Sequence, residues 1–96
     1  MLNENTLNSL KTLGNVKEIT ENKKGLEFYF ENSLKANVCK LYQYQDRYII
    51  QLRKTSKNPL TEQEEDKLVY ESIIKEQEFV DVFEKVTGIY LSGLIY

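Results

Sequence analysis

Histidine is absent from all 96 residues, and cysteine, proline and alanine occur once each, as Cys39, Pro59 and Ala36. The side chain that most often serves as general acid, base or metal ligand near neutral pH is therefore missing. Cys–His and Ser–His–Asp catalysis are excluded, as are zinc sites that need imidazole. A single cysteine closes no internal disulfide. Gly14, Gly25, Gly88 and Gly93 are scattered, so no glycine-rich phosphate loop exists. No run approaches the roughly 18–20 apolar residues that span a bilayer.

Scarce alanine and proline accompany eleven lysines, eight asparagines, seven isoleucines and seven tyrosines. The abundant four are read from A/T-rich codons, which suggests a low-GC bacterium, its phages or its plasmids. Hydrophobic residues make up 41% and charged residues 29%, a globular balance rather than a disordered one. The length fits one domain over 1–96 with a small core. The opening Met1-Leu2-Asn3-Glu4-Asn5 has neither the basic nor the apolar region of a secretory signal. With the lone Cys39, the expected location is cytoplasmic.

Net charge is only −2, but its distribution is uneven. From Leu34 to Asn58 six basic residues face one acid, Asp46; from Thr61 to Lys85 nine acids face three lysines. One explanation is self-complementarity, with the two regions facing each other across the fold.

Leu7, Leu10 and Leu13 share one side of an expected helix over 3–13, which Gly14-Asn15 stops. Between 26 and 52 the even positions carry Leu26, Phe28, Phe30, Leu34, Ala36, Val38, Tyr42, Tyr44, Tyr48, Ile50 and Leu52. Odd positions are mostly polar. This alternation predicts a β-meander with one buried face. Constant parity across both turns calls for three-residue loops at Glu31-Asn32-Ser33 and Gln45-Asp46-Arg47. Lys40 then falls on the apolar face, at an edge or bulge. An earlier strand, Val16 to Glu21, joins through Asn22-Lys23-Lys24-Gly25.

Thr61 with Glu64 three residues on resembles a capping box. Glu62, Glu64, Glu65 and Asp66 would then compensate the N-terminal dipole of a helix carrying Leu68, Val69, Tyr70, Ile73 and Ile74. A second helical stretch holds Phe79, Val80, Val82, Phe83 and Val86 and ends at Gly88. The apolar tail 89–96 reads as a packed strand or extended segment. The expected fold class is α+β: an antiparallel meander of three to four strands, covered on one face by an N-terminal helix and one or two C-terminal helices.

The candidate sites follow from this map. The acidic run lacks the spacing of a calcium loop. Cys39 falls on the polar face near Arg53, but without histidine it makes a poor nucleophile. No catalytic, cofactor or metal site is expected. Tyr29, Leu41 and Ile49, rimmed by Arg47, Arg53 and neighbouring polar residues, have the centre-and-rim anatomy of a protein interface. The acidic helix, with Glu62, Glu64, Glu65, Asp66 and Glu71, is the second candidate contact, suited to a basic groove.

The expectation is a non-enzymatic protein-binding module, an inhibitor or regulator of a larger, nucleic-acid-handling host-defence protein, encoded by a bacterium or a mobile element such as a phage. One alternative is a nucleic-acid-binding regulator using the basic sheet face. There the interleaved tyrosines and cations count in favour, while a pI near 5.2 and the placing of Tyr42, Tyr44 and Tyr48 in the core count against. The other is a self-associating structural component, such as a homodimer.

Overall fold

Strand-forming residues dominate the middle of the chain, and the computed structural model, which describes residues 4–89, arranges them as five strands between two helices. Helix α1 spans Glu4–Leu13. Strands β1 (Ile19–Asn22), β2 (Gly25–Tyr29), β3 (Val38–Tyr44), β4 (Arg47–Lys57) and β5 (Glu64–Ile74) follow, then a 3-10 turn at Glu76–Glu78 and helix α2, Phe79–Thr87. The strands pair in chain order, each antiparallel to the last. Among the described residues this is an α+β fold with one strand more than the sequence reading reached and a single C-terminal helix. None of the described helices is long and apolar enough to cross a membrane. The tail beyond Ile89, expected to pack as a strand, lies outside the described residues.

One face of the sheet carries the core. Phe28, Cys39 and Leu52 form one cross-strand row, and Leu26, Leu41 and Ile50 the next. Leu10 of α1, Phe79 and Phe83 of α2, and Ile74 of β5 join the same buried cluster, so both helices cover this face. Phe83 is the hub of its aromatic part. Its ring lies 5.1 Å from Phe30 edge-on, 5.6 Å from Phe79 and 6.3 Å from Phe28. Such pairs add about 0.5–1.5 kcal/mol each beyond area burial.

Parity holds in β2 and β4 but inverts in β3, which corrects the sequence reading at four positions. Cys39 and Leu41 are buried, whereas Tyr42 and Tyr44 are exposed. The connection after β2 is not a three-residue loop: it runs over residues 30–37, and Phe30 and Ala36 are buried within it. The turn from β3 to β4 is the two-residue Gln45-Asp46, with Tyr44 opposite Arg47. The first connection turns β3 over, and the second restores β4. Burying the even set of β3 would sink the Lys40 charge and two tyrosine hydroxyls; burying Cys39 and Leu41 desolvates almost nothing polar. Lys40 instead sits in a polar row between Glu27 and Gln51, and no bulge is needed to explain it.

The long connection is tied down by its own polar side chains. Asn37 extends the β3–β4 ladder past Val38: its backbone N–H donates to Arg53 O (2.9 Å) and its side-chain amide to Thr55 O (2.8 Å). Its Oδ1 accepts from Thr55 N at 2.8 Å. Ser33 Oγ donates to the Thr87 carbonyl at the end of α2 (2.7 Å).

The helix expected from Thr61 is strand β5. Thr61 Oγ1 accepts from the Gln63 N–H (3.4 Å) inside a loop where Glu62 takes a positive φ of 58°, so the apparent capping box is turn chemistry. Val69, Tyr70, Ile73 and Ile74 suit a strand, and the eleven-residue β4 offers them a partner along its whole length. Helix formation begins only at Phe79. The capping arrangement lies one segment later than expected, where Glu78 Oε1 accepts from the Lys75 N–H (2.9 Å). Gly88, left-handed at φ 79°, ends α2 as the sequence indicates.

Candidate protein-binding surface

The second face of the sheet is organised by register into rows that run across the strands. The first row, Gly25–Tyr42–Ile49–Ile73, is apolar, with Tyr42 36% and Ile73 56% exposed. It starts at glycine for a reason. A Cβ on Gly25 would overlap the Leu41 carbonyl, so β2 and β3 approach more closely here than a side chain allows. The second row, Glu27–Lys40–Gln51–Glu71, is polar, and Gln51 Nε2 donates to Glu71 Oε2. The third is Tyr29–Val38–Arg53–Leu68. Val38 is buried yet stands outside the helix-covered core cluster, flanked in register by Tyr29 and Arg53. Beyond the first row, Tyr44 opposes Arg47 at the sheet's end, both exposed.

From the last β3 pairing, at Arg53, β4 and β5 continue as a two-stranded arm, residues 53–68, whose loop carries Leu60 at 92% exposure. The arm contains Arg53, Lys54, Lys57 and Lys67 against Glu62, Glu64, Glu65 and Asp66, four of each sign. Arg53 Nε bonds Asp66 Oδ1 at 2.9 Å, and Lys57 stands opposite Glu64. Within the arm the two regions of opposite charge therefore meet across β4 and β5 at Arg53–Asp66 and Lys57–Glu64, while Lys54 stands opposite Lys67.

The expected site residues separate accordingly. Tyr29 and Ile49 lie on the open face, Tyr29 exposed and Ile49 half-buried; Leu41 does not, being buried at 1% between Leu26 and Ile50. Arg47 and Arg53 are on the open face, and Arg53 is engaged by Asp66. The acidic helix does not exist. Glu62 is in the arm loop, Glu64, Asp66 and Glu71 share the open face by register, and Glu65 points to the other side. Cys39 is not beside Arg53 on a polar face: it is wholly buried between Phe28 and Leu52, and desolvation pushes its thiol well above the usual range, leaving it protonated. Sequence reasoning assigned Tyr42 and Tyr44 to the buried face and Leu68 and Ile73 to the apolar stripe of a helix; the structure exposes all four. The signal for the two tyrosines was present in β3, where the even positions combine a lysine with two tyrosines, a poor core set. Among the described residues no three or more cysteine, aspartate or glutamate side chains are grouped to hold a metal ion.

Comparison with family models, with curated proteins and with solved structures finds no match for this chain.

Proposed function

We propose that this chain is a non-enzymatic protein-binding module, an inhibitor or regulator that acts by occupying the surface of a larger protein through its open sheet face. The observation that carries this reading is the apolar row Tyr42–Ile49–Ile73 with Tyr44 beside it, on the face the helices leave uncovered. Aromatic and branched side chains ringed by Lys40, Gln51, Glu71 and Arg47 have the composition of an interface centre and rim. The buried, protonated Cys39 and the lack of histidine support a binding role over catalysis.

A nucleic-acid reading draws support from Tyr42 and Tyr44 lying on the same face as Arg47, which the sequence reading had placed apart. Charge argues against it. The open face balances Lys40, Arg47, Arg53 and Lys57 against Glu27, Glu64, Asp66 and Glu71, and offers no cationic track for phosphates.

The test is affinity capture from lysate of a low-GC bacterium, the captured protein being identified by mass spectrometry and then purified. Tyr42→Ser with Tyr44→Ser is expected to weaken its binding at least tenfold, with the unfolding temperature unchanged. Undiminished binding by that variant overturns the reading. Oligonucleotide binding that falls steeply with salt replaces it with the nucleic-acid one.

A further inference from the structure

We infer that the free edge of β5 is where the partner docks, by adding an extended strand that carries apolar and basic side chains on the open face; this rests on the protein-binding reading above. Among the described residues β5 ends the sheet, with β4 on one side and no strand on the other. It is eleven residues long, whereas the opposite edge, β1, has four. Long open edges invite strand addition, in which the main chain supplies affinity and alternate side chains supply specificity.

The rows of the open face say which side chains the added strand must carry, because each row ends at β5 on an exposed side chain whose outer side meets no other strand among the described residues. The apolar row ends at Ile73, 56% exposed, and calls for another apolar side chain. The polar row Glu27–Lys40–Gln51–Glu71 ends on an acid and calls for a base. Leu68, 43% exposed, calls for an apolar neighbour, and Asp66 and Glu64, which meet Arg53 and Lys57 on the β4 side, take bases on their outer side. The register between β4 and β5 steps from Leu52–Tyr70 to Arg53–Leu68, so Val69 is an extra residue and these five positions are evenly spaced along an added strand. Opposite-charge and apolar cross-strand pairs each contribute roughly 0.2–1 kcal/mol, and like charges oppose pairing.

A second copy of this chain does not meet that pattern in any register that engages most of β5, since pairing about Ile73 would use only its last residues. Antiparallel self-pairing centred on Leu68 sets Asp66 against Glu71, and pairing centred on Glu71 sets that acid against itself. Centring on Tyr70 or on Ser72 places Asp66 or Glu71 beside Ile73. The fitting occupant is thus a strand from a different protein, basic where β5 is acidic.

The probe is a ten-residue capped peptide carrying valine, lysine, valine, lysine and lysine at alternate positions with threonine between, and its control has glutamate for lysine. Binding to the full chain is followed by fluorescence anisotropy and by amide shifts. The lysine peptide is expected to bind at least tenfold more tightly than the control and to shift amides within 64–74. Glu71→Lys and Ile73→Lys, both at exposed positions, are each expected to weaken it at least tenfold. Equal binding of the two peptides, shifts confined to other strands, or binding that survives both substitutions overturns the inference. So does sedimentation of the free chain as a dimer whose β5 amides are protected from exchange. Glu71→Lys gives the same reading alone should Ile73→Lys not fold. Loss of the captured partner in the Tyr42 and Tyr44 variant, with no β5 response to peptide, leaves the open face standing and removes the edge.

Discussion

Leu41 and Tyr42 are chain neighbours with opposite duties, one against Leu26 and Ile50, the other against solvent. Leu41→Ala is expected to cost about 2–5 kcal/mol by the usual sum of lost transfer energy and cavity. Tyr42→Ala should cost less than about 1 kcal/mol, and urea denaturation of the two variants separates them. Cys39 makes a sharper case. Its thiol holds its proton more tightly folded than unfolded, so the contribution is complete below the unfolded value, about 8.5, and declines as pH rises past it. Stability of the parent should then fall by up to about 1.4 kcal/mol per pH unit above that point relative to Cys39→Ala. Parallel pH curves for the two proteins would show that the thiol is not shielded. Position 45 stores strain instead: Gln45 turns the β3–β4 hairpin at a φ of 54°. Gln45→Gly is expected to raise stability by about 1 kcal/mol, measured by the same denaturation.

At the scale of elements, what could be read from the chain depended on whether local and tertiary preferences agreed. In β2 and β4 all the apolar residues but Tyr29 and Ile49 share one parity, and Leu26, Phe28, Ile50 and Leu52 lie where alternation puts them. In β3 both parities carry apolar groups, so alternation alone does not choose. The choice was made by the cost of sinking Lys40 and two phenol hydroxyls, a comparison across sets rather than along a pattern. The length of the connection over 30–37 was hidden because Phe30, Leu34 and Ala36 keep the strand rhythm, although Leu34 is 96% exposed. β5 misled differently. Thr61, Glu64 and a first turn of acids imitate a helix start, and only the unpaired length of β4 reveals that a strand is wanted. The open-face tyrosines were lost with the β3 parity, so the candidate surface was half legible. The closeness of β2 and β3 at Gly25 gives this level its own test. Gly25→Ala should destabilise by about 1–3 kcal/mol through overlap with the Leu41 carbonyl, visible as a lowered unfolding midpoint.

For the molecule as a whole, the sheet divides into a part backed by helices and an arm that contributes no described residue to the helix-covered cluster. Residues 61–71 are exposed throughout, and the arm's ion pair between Arg53 and Asp66 is half in solvent. Such pairs contribute about 0–1 kcal/mol, so Asp66→Asn is expected to leave global stability nearly unchanged. Local openings should therefore begin in the arm. Amides at 54–57 and 64–67 are expected to exchange well before those at 49–52, and uniform protection along β4 would contradict that division.

The eight-residue link between β2 and β3 has a consequence for how this chain tolerates change in length. Removing or adding one residue there would exchange the oily and wet sides of β3, and a compensating change in the turn at 45–46 would keep β4 in place without restoring β3. Two remote connections are thus locked as a pair. A deletion in one would withdraw Tyr42 and Tyr44 from the outside without altering either tyrosine, and a matching deletion in the other could not bring them back.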